Sequence, residues 1–124
     1  MKKYLDKTMW PRREHFEFFS QFEEPFFGIV ANVDVTRAYA AAKEGGHSFF
    51  LYYLHKVAAG VNAVEEFRYR ISADDVLIHD RIDISATLTR EDNTFGFSLI
   101  EYHADFSGFH AGAKAEIERV RNTP

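Results

Sequence analysis

The sequence predicts an α+β fold, an α/β two-layer sandwich in which helices pack on one face of a mixed β-sheet. The chain has 124 residues, the length of one ordinary domain, so we expect residues 1–124 to form a single domain. Apolar residues make up 46% and charged residues 27%, which is a globular composition. Some segments have apolar residues at helical spacing, and shorter ones have apolar and polar residues in alternation. Together they give the order α-β-α-α-β-β-β-β-α.

The first half of the chain is predicted to hold three helices and one strand. A helix over 13–22 is indicated by phenylalanines three residues apart, and Pro25 marks its end. Residues 26–35 are mostly apolar and β-branched, which favours a largely buried strand. A short alanine-rich helix follows over 37–44. The strongest helical pattern covers 48–64, where apolar residues form a broad face.

The second half is predicted to hold four strands and a final helix. Residues 67–71 alternate like a half-exposed strand and pair with 76–79 in a hairpin, across a turn with two aspartates. Residues 82–89 and 94–102 alternate again on either side of a polar turn. The last helix covers 104–121 and is weakened by two glycines.

Composition excludes several classes of function. The formal net charge of −4 gives no electrostatic reason to expect nucleic acid as a partner. No apolar run approaches the roughly 20 residues that span a membrane. The six histidines lack zinc-ligand spacing and there is no cysteine, so we expect no metal site. The twenty aromatic residues indicate a dense core, an adhesive interface or an aromatic pocket, and composition leaves these three open.

Trp10 begins the run W-P-R-R-E-H-F-E-F-F, which resembles the opening of classical, non-hexapeptide chloramphenicol acetyltransferases. Further segments agree with that family in the same order: Val33–Thr36, His47–Phe50, Asn62 with Glu66–Arg68, Asp74–Asp80, Thr94–Phe95 and Glu101–Phe106. The resemblance covers nearly all of this chain, but only the N-terminal part of a family member.

The resemblance implies an acetyl-CoA-dependent O-acetyltransferase that confers antibiotic resistance or acetylates xenobiotics. It further implies a cytoplasmic homotrimer, or another homo-oligomer, whose acceptor is a small aromatic hydroxyl compound such as chloramphenicol. The family's general base is a histidine in an H-H-x-x-x-D-G motif near the C-terminus, and that motif is not in these 124 residues. Because a hydroxyl needs such a base, we expect no catalytic residue here and no acetyl transfer by this chain alone.

The resemblance also assigns candidate site residues on the acceptor side of the pocket. The expected substrate-binding residues are Phe18, Phe19, Glu24, Phe26, Ser85 and Phe95, and Arg12 is expected to form a structural ion pair. For the phenylalanines the alternative is plain core packing. Glu24 and Phe26 depart from the family's pattern and put chloramphenicol itself in doubt as the acceptor, because a carboxylate is costly to bury against an aryl ring.

Three other interpretations stay open at this point. The chain could be a short non-catalytic relative that oligomerises and binds aromatic small molecules. The segment His103–His110 looks like H-x-x-x-D-G-F-H with serine in place of aspartate, so His103 could be a general base. A stand-alone hydrolase using His103 is the third. The collinear order of the motifs instead favours a surface histidine at the start of a helix.

Overall fold

The computed structural model, which describes residues 1–123, confirms the α+β class. The helices are α1 (Arg13–Phe19), α2 (Thr36–Glu44), α3 (Phe49–Ala63) and α4 (Phe106–Asn122), with a short 3-10 helix at Glu65–Arg68. The strands are β1 (Lys3–Tyr4), β2 (Tyr69–Ser72), β3 (Asp75–Ile78), β4 (Thr87–Thr89) and β5 (Phe95–Phe97). The described strands pair antiparallel in two small sheets, of order β1-β3-β2 and β4-β5.

The predicted hairpin is confirmed as β2 and β3. Ser72 pairs with Asp75, so the loop has two residues, and Ala73 takes the positive φ of 54° that such tight turns require. Strand β1 was not predicted, since two residues are too short to show an alternation. It pairs with the free side of β3, and the Lys7 ammonium lies 3.0 Å from the Asp75 carboxylate.

Strands β4 and β5 belong to a longer antiparallel ribbon, formed by residues 84–89 and 95–100. Ile84 and Ile100 exchange two backbone hydrogen bonds of 2.9 and 2.7 Å, in the same register as β4 and β5. The Ser98 amide donates to the Ala86 carbonyl at 2.9 Å. Side chains alternate along a strand, so this register gives the ribbon one inner and one outer face.

The core lies between the inner face of the ribbon and the helices α3 and α4. Its centre is Leu51, Ile100, Phe109 and Ala113, all almost fully buried. Both helices begin at side-chain caps, because the Ser48 hydroxyl accepts from the Leu51 amide and the Asp105 carboxylate accepts from the Gly108 amide. The caps fix where the helices start, and the core fixes how they lie on the ribbon.

The prediction of a buried strand over 26–35 is wrong. These residues have no regular secondary structure and pair with none of the described strands, and Val30 is fully exposed. A segment forms a β-strand only when its backbone hydrogen-bonds to that of a neighbouring segment. Within residues 1–123 no segment pairs with residues 26–35 in this way. Its apolar sequence therefore forms an exposed surface instead of a buried layer.

Two helices also differ from their predicted pattern. Helix α1 ends at Phe19 instead of residue 22, and a turn follows. Helix α3 buries Leu51, His55 and Ala58, while Val57 on its predicted apolar face is 58% exposed. Apolar residues surround most of α3, and the helices α2 and α4 together with the ribbon cover only part of that surface. None of the helices described over residues 1–123 has the length and hydropathy needed to span a membrane.

Candidate functional site

The outer face of the ribbon carries two of the predicted site residues. In the observed register Thr89 lies opposite Phe95 and Thr87 opposite Phe97, and continuing it places Ser85 opposite Leu99. A row of hydroxyls on one strand therefore faces a row of apolar side chains on the other. All six side chains are exposed: Ser85, Thr87, Thr89, Phe95, Phe97 and Leu99.

Ser85 and Phe95 mark opposite ends of this outer face. Four residues of extended strand separate Ser85 from Thr89, the partner of Phe95, so the face is about 13 Å long. The Phe95 ring is 59% exposed and meets the Phe97 ring edge to face, with centroids 5.8 Å apart. The face is large enough to hold a flat aromatic molecule with polar substituents.

The predicted rings on α1 form a separate cluster. Phe18, Phe19 and Phe22 pack on one another with ring centroids 5.1 to 5.4 Å apart. Within residues 1–123 no ring contact joins this cluster to Phe95. The structure thus gathers the candidates into two groups, one on α1 and one on the ribbon.

The remaining predicted residues lie in exposed positions. Glu24 and Phe26 follow α1 in irregular chain, and both side chains are exposed. The Arg12 guanidinium lies 3.4 Å from the Glu66 carboxylate, and these two side chains are 60% and 48% exposed. Ion pairs that are this exposed contribute little to stability, so Arg12 is not a buried structural cation in this chain.

Two clefts elsewhere in the described part of the chain contain none of the predicted substrate-binding residues. One of about 1140 Å³ lies between the α2–α3 loop, the β4–β5 turn and α4, and Arg90, His110 and Lys114 are among its lining residues. One of about 520 Å³ is lined by Asn62 and His103, among others. The predicted acceptor residues instead lie on open surface.

The residues of the segment His103–His110 make structural contacts at the start of α4. His103 is half exposed, with its Nε2 atom 4.0 Å from the Glu101 carboxylate, and its carbonyl accepts a 3.0 Å hydrogen bond from the buried His55 ring. Asp105 caps α4. Phe106 contacts His47, His55 and His110 with ring centroids 4.8 to 5.6 Å apart. In the part of the chain that the structure describes, no three His, Cys, Asp or Glu side chains converge on a metal-sized site.

Sequence reasoning missed the polar groups that fasten the ribbon to α4. The Glu116 carboxylate accepts from the Leu99 amide at 2.8 Å, and Arg119 binds the same carboxylate through two nitrogens. The Arg119 hydrogen bond, followed by that of the Leu99 amide, lowers the pKa of Glu116 to about 2. Arg90 lies against Gly96 on the inner face. The available signal was Gly96 itself, because a glycine inside an alternating strand often marks a close approach.

Comparison with known proteins gives one consistent family. The family model for chloramphenicol acetyltransferase matches residues 2–123. Chloramphenicol acetyltransferase 3 of Escherichia coli is 26% identical over 119 residues, which cover 95% of this chain and 56% of that protein. The chloramphenicol acetyltransferase of Clostridium perfringens is 30% identical over 120 residues, which cover 95% of this chain and 56% of the relative.

A solved chloramphenicol acetyltransferase structure superposes with a TM-score of 0.89 and 36% sequence identity. It covers all of this chain, which in turn covers 59% of that structure. The chain thus spans about half the length of the curated relatives that it matches.

Proposed function

The chain belongs to the chloramphenicol acetyltransferase family, and from that premise we propose that it supplies the acceptor-binding part of an acetyl-CoA-dependent O-acetyltransferase. The observation that carries this proposal is the shared outer face of Ser85 and Phe95, two residues that the family resemblance assigns to acceptor binding. Ligand sites are mostly apolar with a few polar groups, and this face has that composition.

The chemistry of acyl transfer to a hydroxyl requires two roles, binding of the acceptor and removal of its proton. The hydroxyl of the acceptor must lose a proton to a base as it attacks the acetyl thioester of the co-substrate, acetyl-CoA. Residues 1–124 contain no H-H-x-x-x-D-G sequence that would supply the family's base. We therefore assign binding of the acceptor to this chain and expect the isolated 124 residues to transfer no acetyl group.

The acceptor in this proposal is a small aromatic compound that carries hydroxyl groups, such as chloramphenicol. Phe95 and Phe97 offer ring faces for stacking, and the Ser85 hydroxyl offers a donor and an acceptor on the same surface. The α1 cluster of Phe18 and Phe19 supplies a second wall in the assembled site. The Glu24 side chain is exposed to solvent, so its carboxylate does not incur the cost of burial against an aryl ring in this structure.

A homo-oligomer, a trimer by the family resemblance, forms part of the proposal. The exposed side chains of Phe26, Phe27, Ile29, Val30 and Val33 form an apolar surface that a monomer rarely leaves in water. This surface equally favours the second candidate, a short non-catalytic relative that oligomerises and binds aromatic compounds. The lack of cysteine fits the cytoplasm, the location that we propose for either protein.

The test is an NMR titration of the isotope-labelled chain with chloramphenicol. We expect shifts at the amides of the outer face, and Phe95→Ala and Ser85→Ala should each weaken binding several-fold. Phe67→Ala, which removes an equally exposed ring outside the site, is the matched control. Saturable binding without thiol release from acetyl-CoA supports the proposal. Unchanged affinity in Phe95→Ala contradicts the site, and robust acetyl transfer by residues 1–124 contradicts the division of labour.

A further inference from the structure

Gly96 allows an arginine to lie flat against the strand that carries Phe95. A Cβ atom at position 96 would lie 2.6 Å from Nη2 of Arg90 and 2.7 Å from Cγ1 of Val120. Real Cβ atoms do not approach other atoms so closely, so any side chain at this position would displace the guanidinium or α4. Gly96 is buried on the inner face, directly beside Phe95 on the outer face.

The Arg90 guanidinium joins three groups across this contact. Its Nε donates to the Val120 carbonyl at 2.8 Å, and its Nη1 donates to the Phe95 carbonyl at 2.7 Å and to the Thr94 hydroxyl at 3.3 Å. The Val120 carbonyl is among the last four of α4, which lack a partner within the helix. A cation at this negative end of the helix dipole is also favourable.

Glu116 holds the other end of the same strand. Its carboxylate accepts from the Leu99 amide at 2.8 Å, one turn of α4 before Val120. The strand from Phe95 to Leu99 is therefore fastened to α4 at both ends by charged side chains. Its exposed rings stand on a backbone whose position is set from the buried side.

We infer that Arg90 is a positioning residue that fixes Phe95 for the acceptor, which presupposes the acceptor-binding role proposed above for Phe95. The planar guanidinium holds the carbonyl of residue 95 and the end of α4 at the same time. A lysine carries the same charge but has a single nitrogen and cannot reproduce this fork. Arg90 acts through the backbone and does not itself touch the acceptor, because it lies on the opposite face of the ribbon.

The experiment compares Arg90→Met and Arg90→Lys with two controls in the full 124-residue chain. Arg121→Met removes an exposed arginine near the same end of α4. Val76→Ala lowers stability from the separate β1-β3-β2 sheet and so controls for stability alone. The readouts are the carbonyl ¹³C shift of Phe95, the Phe95–Phe97 ring contacts by NMR, the Kd for chloramphenicol and the urea midpoint.

We expect Arg90→Met to move the Phe95 carbonyl shift and to weaken chloramphenicol binding about tenfold, which equals about 1.4 kcal/mol. Arg90→Lys should show part of both effects and provides the measurement if the methionine variant does not fold. Val76→Ala should lower the urea midpoint while the Kd and the Phe95 signals stay unchanged. Arg90 variants with wild-type Phe95 signals would overturn the inference. If the wild-type chain does not bind chloramphenicol, the proposed function fails, and the Phe95 signals still decide the role of Arg90.

Discussion

Replacing Glu116 with glutamine should destabilise the protein in a way that depends on pH. The glutamine keeps an oxygen that can accept from the Leu99 amide but loses the charge that binds Arg119. The pKa of Glu116 is lowered from 4.5 to about 2, chiefly by the Arg119 hydrogen bond and then by that of the Leu99 amide. Folding therefore favours the carboxylate form.

The size of the effect follows from that pKa. At about 1.4 kcal/mol per pH unit, the fall of the Glu116 pKa from 4.5 to about 2 corresponds to at most about 3.5 kcal/mol of stability near neutral pH. Solvent screens part of this energy, because the Arg119 side chain is 56% exposed while that of Glu116 is only 15% exposed. We therefore expect Glu116→Gln to cost about 1–2 kcal/mol at pH 7.

The sign of the pH dependence is fixed by the lowered pKa. The contribution of Glu116 is fully present above the unfolded value near 4.5 and is lost as the pH falls towards 2. Urea unfolding of wild type and Glu116→Gln between pH 7 and pH 2 measures it, and the difference between the two stability curves should shrink below pH 4.5 and be smallest near pH 2. Glu118→Gln, an exposed carboxylate two residues further along α4, is the control and should change stability by less than about 0.5 kcal/mol throughout. A Glu116→Gln cost that stays constant with pH would refute the electrostatic reasoning.

Three further predictions concern the core, the pKa of His110 and a turn. Phe109→Ala removes a fully buried ring and should cost about 3–5 kcal/mol in urea unfolding, whereas a loss below 1 kcal/mol would contradict the assigned core. Burial, then the nearby positive charges of His47 and Lys114, lowers the pKa of His110, so its stabilising contribution declines as the pH falls below its unfolded value near 6.5. His47→Asn should accordingly raise the pKa of His110 in an NMR titration, and an unchanged pKa would remove His47 as a cause. Ala73→Gly relieves a positive φ of 54° in the β2–β3 turn and should raise stability by about 0.5–1 kcal/mol in urea unfolding, while a loss of stability would show that the turn is not strained.

The sequence predicted those parts of the fold that are determined locally. Helix α3 has a serine cap and a long apolar repeat, and the β2–β3 hairpin has alternating residues on both sides of a two-residue turn. The strand expected over 26–35 failed because its pattern specifies burial but not the neighbour that provides it. Composition and the spacing of apolar residues describe a single segment, whereas the pairing of β-strands depends on two segments.

The candidate site was predictable in part for the same reason. The ribbon register follows from the tight turn between Arg90 and Thr94, whose amide and carbonyl are 2.8 Å apart, and this register places Ser85 and Phe95 on one face. The α1 rings could not be placed against that face from sequence, because no local pattern relates a helix to a ribbon 70 residues away. The role of Arg90 could not be predicted because its two shortest hydrogen bonds go to backbone carbonyls, which residue types do not reveal.

The inner face of the ribbon contributes to stability, and we assign acceptor binding to its outer face. Gly96, Ser98 and Ile100 are buried on the inner face, while Phe95, Phe97 and Leu99 alternate with them and are exposed on the outer face. Removing an outer ring uncovers no core residue, so such variants should lose ligand affinity with little loss of stability, and inner-face variants should do the reverse. Arg90 is the exception, because it lies on the inner face and holds the Phe95 carbonyl. A substitution of Arg90 is therefore the inner-face change that we expect to lower the affinity for the acceptor.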